Sequence, residues 1–333
     1  MKKIALITDA WLPQINGVVN TCLSIIPHIE KEYIVKVLHT GMFKNFSYPW
    51  YKEIKIAYNT KKITNSFFNS FNPDIVHIVT EGPVGKAGIK FCNQNKWKYT
   101  TSFHTRFPEY IEKRVYVPRK FTYGYLRNFH KNAEKVLVPT QSMINELSKY
   151  KFQNLNVWSR GVDTNLFNPS KRTRKDNETH ITYIGRVSIE KNIKAFLELK
   201  TIMKKTVVGD GPELQKLKKK YPGVKFVGLK KGDELAQFYA NADVFVFPSK
   251  TDTFGNVILE ALSSGTPVAA FPVVGPLDIM KDTKVDALDE NLEKSLKKAL
   301  KTKRSDCRDF AMQFTWKNCS QDFISHMVMA KGQ

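Results

Sequence analysis

The sequence is short of acids. Against 53 Lys and Arg it sets 31 Asp and Glu, a net charge of +22 over 333 residues. A surplus of that size points to a polyanionic partner, an anionic membrane or a nucleic acid. Long apolar runs are missing as well: stretches such as Val244–Pro248 fall far short of the ~20 residues that span a bilayer. Met1-Lys2-Lys3 leads into Ile4–Ile7, but Thr8-Asp9 follows at once, so no signal peptide is expected. Cysteine is scarce. Cys22, Cys92, Cys307 and Cys319 lie far apart with no CxxC pair, which speaks against a disulfide framework or zinc site and fits reduced cytosolic thiols. There is no HExxH, no Asp-x-Asp, no GxGxxG and no GxxxxGK[ST]. These absences argue against a metal enzyme, a standard dinucleotide enzyme and a P-loop ATPase, and no metal or other cofactor is expected.

What the chain has is an α/β rhythm, played twice. Lys3–Ile7, Tyr33–Leu38, Ile75–Val79, Lys98–Ser102 and Lys135–Val138 read as buried strands, mostly followed by a Gly- or Pro-containing loop and a helix. The pattern restarts with Thr179–Ile184, Thr206–Val208, Lys225–Val227, Val244–Phe247 and Pro267–Ala270. Strands alternating with helices imply parallel βαβ units. The polar stretch Asn168–Asn177 (NPSKRTRKDN) is the best linker by composition. The expectation is two Rossmann-like domains, 1–167 and 168–310, with a terminal amphipathic segment over 311–333. Two such sheets facing one another would bring the carboxyl ends of their strands to a shared cleft.

The loops at those ends carry the chemistry. In Ser249–Ala270 (SKTDTFGNVILEALSSGTPVAA) a strand ends, a loop carries Asp252, and a helix starts near Phe254, Gly255 and Asn256, with Glu260 two turns in. Exposed amides at such a start suit a phosphate or sugar oxygen, Asp252 could accept from sugar hydroxyls, and Glu260 could grip a vicinal diol such as a ribose. An N-cap Asp and a solvated helix Glu would explain the segment as well. In Tyr183–Asn192 (YIGRVSIEKN), Gly185 ends a strand, and Arg186 and Lys191 can converge on a diphosphate that no metal neutralises. Taken singly they would be surface charges. Val207–Leu214 (VVGDGPEL) and Gln14–Val18 (QINGV, with Gly17) are Gly-containing turns before helices, each uninformative alone.

Their order is informative. NGVV, HTRFPEY, GR and EKN around Lys191, VVGDGP and TDTFGNVILEALSSGTPVA together resemble the retaining glycosyltransferases of family 4, which have the GT-B fold. Within that family TDAWLPQINGVV, IVTEGPVG, WSRGVDTNLF and PVVGPLDIM are similar to bacterial enzymes that glycosylate membrane lipids, especially diacylglycerol glycosyltransferases using UDP-glucose or UDP-glucuronic acid. GDP-mannose-dependent mannosyltransferases acting on a lipid or polysaccharide, and sulfoquinovosyl transferases, share several of these strings. The resemblance implies a GT-B architecture in which the first domain faces the acceptor and membrane, the second binds the nucleotide sugar, and the C-terminal helix returns to the first. It further implies that Arg186 and Lys191 hold the donor diphosphate and Glu260 the ribose. Asp252 and the Phe254–Asn256 backbone would lie at the donor sugar, with Gly185 and Gly17 against the diphosphate and His104 near the transferred sugar. One departure stands out: the family's paired acids, eight apart, are commonly both Glu, and the first is Asp252 here.

Residues 96–135 hold ten Lys/Arg against Glu109, Glu112 and Glu134, interleaved with Phe and Tyr. Among them Arg106, Lys113, Arg114, Arg119, Lys120 and Arg127 are the expected membrane and acceptor contacts, since cations beside rings suit an anionic interface. They suit single-stranded nucleic acid too, but no RRM, KH or helix-turn-helix signature accompanies them. The expected enzyme therefore sits peripherally on the inner face of the cytoplasmic membrane, takes a UDP-sugar and a lipid acceptor, and binds no nucleic acid.

Overall fold

The computed structural model describes residues 1–14, 16–48, 51–104, 118–250, 252 and 254–332, with the side chains of 48 and 51–54 left aside. The chain divides into two compact units, Met1–Ser159 with Trp316–Gln333, and Arg160–Thr315.

In the first unit β1 (Lys2–Thr8), β2 (Tyr33–His39), β5 (Ile75–Ile78), β6 (Thr100–Ser102), β7 (Lys135–Val138) and β8 (Leu155–Val157) form a parallel sheet of order β2-β1-β5-β6-β7-β8. β3 (Asn45–Tyr48) and β4 (Tyr51–Ala57) make a separate antiparallel hairpin. The run Ile4–Ile7 is continuously buried because helices cover both faces of the sheet. One face packs Phe67 and Phe68 of α2 (Lys61–Phe71), Phe91 of α3 (Pro83–Gln94) and Tyr123 of α4 (Arg119–His130), with Met143 and Leu147 of α5 (Gln141–Lys149). The other packs Cys22, Ile25 and Ile29 of α1 (Gly17–Ile29) beside Cys319 and Phe323 of the terminal helix (Trp316–Ser325). Beyond that helix Ala330 is fully buried, its amide donating to the Asp74 carbonyl at 2.7 Å and its carbonyl accepting from the Lys98 amide at 2.8 Å. The tail thus closes the gap between β5 and β6 at their amino ends.

The second unit has β9 (His180–Ile184), β10 (Lys204–Val208), β11 (Lys225–Phe226), β12 (Val244–Phe247) and β13 (Val268–Ala270) in parallel order β11-β10-β9-β12-β13. Its helices are α6 (Ile193–Leu197), α7 (Leu214–Lys220), α8 (Gly232–Asn241), α9 (Asn256–Ser263), α10 (Pro276–Met280), α11 (Leu292–Ala299) and α12 (Arg304–Ala311); the terminal helix is α13.

The units divide at residues 159 and 160, not at the polar stretch 168–177. Two facts explain the difference. Val162 and Phe167 are buried in the second unit's core, and Val162 bridges to Thr315. The polar stretch is itself clamped: Asp243 takes Arg172 at 2.9 Å, Arg174 at 2.5 Å and the His180 amide at 2.8 Å. Arg172 and Arg304 also donate to the carbonyls of Ala240 and Ala242, where α8 ends. Burial works against the Asp243 charge, but the His180 amide and the two guanidiniums outweigh it and hold the carboxyl below its usual range. Asp243→Ala takes the shared carboxylate from two partly buried arginines, which keep only the α8 carbonyls and Asp176, so it should cost about 1–3 kcal/mol, read as a lower urea midpoint with Asp243→Asn milder. An unchanged midpoint would contradict the clamp.

Candidate functional site

An open parallel sheet binds ligands outside the carboxyl ends of its strands, where the strand order reverses. In the second unit that point lies between β9 and β12. The two loops that leave it are the segments from Gly185 to Lys191 and from Pro248 to Gly255.

Local structure aims both loops. After β9, the Gly185 amide donates to the Val208 carbonyl at 3.0 Å and Val187 donates to the Asp210 carbonyl at 2.9 Å, so the GDGP turn braces the first loop. The chain then tightens into a 3-10 turn, Ile189–Lys191, which presents Lys191. The Asn192 side chain donates to the Pro248 carbonyl at 3.0 Å and ties the two loops together. Across that tie Lys191 Nζ forms an ion pair with Asp252 Oδ1, joining residues 61 apart in sequence. The other oxygen, Asp252 Oδ2, is buried and accepts no hydrogen bond among the described residues; the same holds for the Ser249 hydroxyl. Arg186 is exposed, and its guanidinium, with Lys191, favours the charged form of the neighbouring Glu190.

α9 opens at Gly255, whose φ of +86° is a left-handed value that a larger residue would resist. No side chain caps this helix among the described residues, and Asn256 is its first residue. Phe254 differs from the rest of the segment because its ring is 7% exposed and lies in the core, which leaves only its backbone for a ligand. Glu260 faces Tyr239, whose hydroxyl donates to Oε2 at 2.8 Å. Burial pushes the Glu260 carboxyl up to about 7, and the Tyr239 hydroxyl pulls against it. The second unit therefore gathers Gly185, Arg186, Lys191, Asp252, Gly255, Asn256 and Glu260 around one strand-order reversal. An exposed guanidinium, an ammonium, open helix amides and unfilled carboxylate acceptors form a set that can meet a phosphate at one end and hydroxyls at the other.

The reversal in the first unit lies between β1 and β5, and it is filled from within. The Asp9 carboxylate accepts from the amides of Val84 at 2.8 Å and Gly85 at 3.2 Å and from the Thr80 hydroxyl at 3.0 Å, so it occupies the start of α3. Burial raises its pKa while those bonds pull it down. Gly82 is required here, since a Cβ would lie 2.3 Å from Asp9 Cγ. An external anion finds this helix start already taken. Gly17 is the first residue of α1, which Asn16 caps, and a Cβ on it would meet nothing within 4 Å. His104 is half-buried just after β6, with its ring edge-on to Trp158 at 6.0 Å between centroids. Trp158 is held in turn by its indole N–H donating to the Cys319 carbonyl of α13 at 3.1 Å. Arg119, Lys120 and Arg127 lie exposed on α4, with Arg127 donating to the Tyr150 carbonyl at 3.2 Å. Arg106, Lys113 and Arg114 fall outside the described residues. Sequence reasoning missed Asp9, Tyr239 and Trp158; only the TDAW string hinted at the first.

Three groups capable of holding a metal, Asp176, Glu178 and His180, cluster at the amino end of β9, away from these loops. Arg174 and Lys204 are already ion-paired with the two acids.

Two family models match the chain in succession: Glycosyltransferase Family 4 over residues 27–166, and Glycosyl transferases group 1 over residues 178–303. The fold is that of sucrose-phosphate synthase from Thermosynechococcus elongatus, with a TM-score of 0.76 at 17% identity, covering 98% of each chain. The protein is thus a glycosyltransferase of the GT-B fold. It belongs to glycosyltransferase family 4. Similar curated proteins include the sulfoquinovosyl transferase SQD2 of Arabidopsis thaliana, 28% identical over 84% of this chain, which spans 62% of that protein's length. A GDP-mannose-dependent alpha-mannosyltransferase of Corynebacterium glutamicum is 25% identical, with 84% of this chain and 75% of that protein aligned. An alpha-monoglucosyldiacylglycerol synthase of Streptococcus pneumoniae is 26% identical over 80% of this chain and 70% of its own.

Proposed function

We propose that the protein is a retaining hexosyltransferase that moves glucose or glucuronic acid from a UDP-sugar to a membrane lipid, diacylglycerol above all. The observation that carries the reading is the joining of Lys191 to Asp252 at the second unit's strand-order reversal, beside the exposed Arg186 and within the same unit as Glu260. In this reading Arg186, Lys191 and the open amides of α9 bind the diphosphate and oppose the charge that builds on it as the glycosidic bond breaks. Glu260 accepts from the ribose hydroxyls, and Tyr239 fixes the carboxyl that does so. Asp252, with Oδ2 unfilled, accepts from a hydroxyl of the hexose. The acceptor hydroxyl attacks from the side the diphosphate leaves, and the leaving phosphate takes its proton. His104, steadied by Trp158, positions the sugar. The name of the alpha-monoglucosyldiacylglycerol synthase relative supports a lipid acceptor, and Arg119, Lys120 and Arg127 on α4 support peripheral docking at an anionic surface; no helix among the described residues is long and apolar enough to cross a membrane.

A second reading, transfer of mannose from GDP-mannose, is supported by the mannosyltransferase relatives at 25% and 26% identity. Nucleotide protection separates the two. UDP is expected to raise the thermal midpoint more than GDP at equal concentration, by at least the shift that tenfold tighter binding gives. Stronger protection by GDP would transfer the proposal to mannose.

A further inference from the structure

The charge surplus is not spread evenly over the first unit. α2, α3 and α4 pack on the same face of the sheet, and together they carry seven Lys and Arg and no Asp or Glu. α5, on the same face, adds Glu146 and Lys149, while on the opposite face α13 carries Asp322 and Lys317, and Glu30 and Glu32 follow α1. Beside α2, α3 and α4 large rings stand in solvent: Phe121 is 71% exposed, Tyr58 45% and Tyr125 44%. Lys86 of α3 lies over the Tyr125 ring of α4 at 4.6 Å, so cation and ring are organised against each other.

Two clefts cut this face on either side of α3. One, about 370 Å³, runs between α3 and the start of α2, past Tyr58, Lys61, Lys86 and Lys90. The other, about 390 Å³, runs between α3 and α4, past Lys86, Lys90, Tyr125 and Lys131. Lys86 and Lys90 stand one helical turn apart on the ridge between the clefts and line both. Asn65, Gln94 and Asn128 add amides able to bond ester and phosphate oxygens without adding charge.

We infer that the α2–α3–α4 face is a docking surface for an anionic phospholipid bilayer, with the two clefts flanking Lys86 and Lys90 receiving headgroup phosphates. Seven cations on three helices that themselves carry no acid complement such a surface, and amphipathic rings sit where headgroups meet chains. The inference rests on the lipid-acceptor reading above and extends it to residues outside the 96–135 segment, Lys61, Lys86 and Lys90.

The test is co-sedimentation of the full chain with vesicles of phosphatidylcholine alone or with a third phosphatidylglycerol. Lys61→Gln, Lys86→Gln and Lys90→Gln are combined in one variant, and Lys216→Gln, Lys218→Gln and Lys219→Gln of α7 in another. Wild type is expected to bind the anionic vesicles alone and to release in high salt. Each lysine near the surface changes partitioning about fivefold, so the first variant should bind about a hundredfold more weakly and the α7 variant within a few-fold of wild type. Equal losses in both variants would overturn the inference, as would wild type that binds single-stranded RNA but not vesicles. Transfer to diacylglycerol in detergent micelles, measured alongside, should survive in the first variant. Failure there with wild type and every donor would count against the lipid-acceptor reading itself, whereas intact micelle transfer with unaltered vesicle binding by the first variant would sink only the docking face.

Discussion

Glu260→Gln is expected to make the unliganded protein more stable at pH 8 and to weaken its hold on UDP at the same time. The carboxyl titrates near 7 in the fold, where burial opposes its charge, and near 4.5 in the unfolded chain. The folded state therefore binds this proton more tightly. The contribution to stability is full below about 4.5 and is lost as pH rises through 7, at a cost of about 1–3 kcal/mol by pH 8. Gln removes that cost and still offers an oxygen to the Tyr239 hydroxyl. Its gain should thus appear at pH 8, shrink by pH 5 and vanish below about pH 4. A carboxylate that accepts from two ribose hydroxyls contributes about 1.5–3 kcal/mol through each charged hydrogen bond, so the variant should bind UDP about a hundredfold more weakly or worse. For the same reason wild-type UDP affinity should fall as pH drops through 7, and the variant's should not. Thermal unfolding with and without UDP at three pH values reads all of this. A variant that is less stable at pH 8 and binds UDP normally would remove Glu260 from the donor site.

Lys191→Ala carries the second large effect. It leaves the partly buried Asp252 carboxylate without its partner and, in the proposed mechanism, takes away a cation from the leaving diphosphate. Loss of one preorganised charge at a developing oxyanion lowers kcat by about 10²–10³-fold, and the same range is expected here. Lys191→Arg should recover part of it. Asp252→Asn is the informative counterpart. Freed from its ion pair, Lys191 becomes fully available to phosphate, so UDP affinity should hold or rise while transfer falls at least tenfold, because the hexose loses an ionised acceptor. Measured as kcat and donor KM, the two variants should differ in kind. If Asp252→Asn weakened UDP as much as Lys191→Ala does, the division of labour between phosphate and sugar would be wrong.

The parts of this enzyme that were legible in its sequence are those written locally. A buried run such as Val244–Phe247 followed by a loop and an amphipathic helix declares a βα unit within a few residues. The loops after β9 and β12 lie at the ends of such units, which is why Arg186, Lys191, Asp252 and Glu260 could be named and then found in one unit. What stayed hidden depends on partners far along the chain. Asp9 reaches α3 across 75 residues, Tyr239 reaches Glu260 from another helix, and Trp158 is held from α13, 161 residues away. The division between units was misread for the same reason. NPSKRTRKDN has the composition of a linker, yet Asp243 turns two of its arginines into anchors. β8 was missed because a strand of three residues, none of them buried, carries little periodicity.

The most direct measurement is a donor-by-acceptor screen read by mass spectrometry of the lipids. Purified protein is given UDP-glucose, UDP-glucuronic acid or GDP-mannose with diacylglycerol in anionic liposomes. The predicted result is a monohexosyl or glucuronosyl diacylglycerol formed from a UDP-sugar, with anomeric configuration retained and nearly all product lost in Glu260→Ala. No glycolipid from any of the three donors, with lipid supplied, would contradict the account.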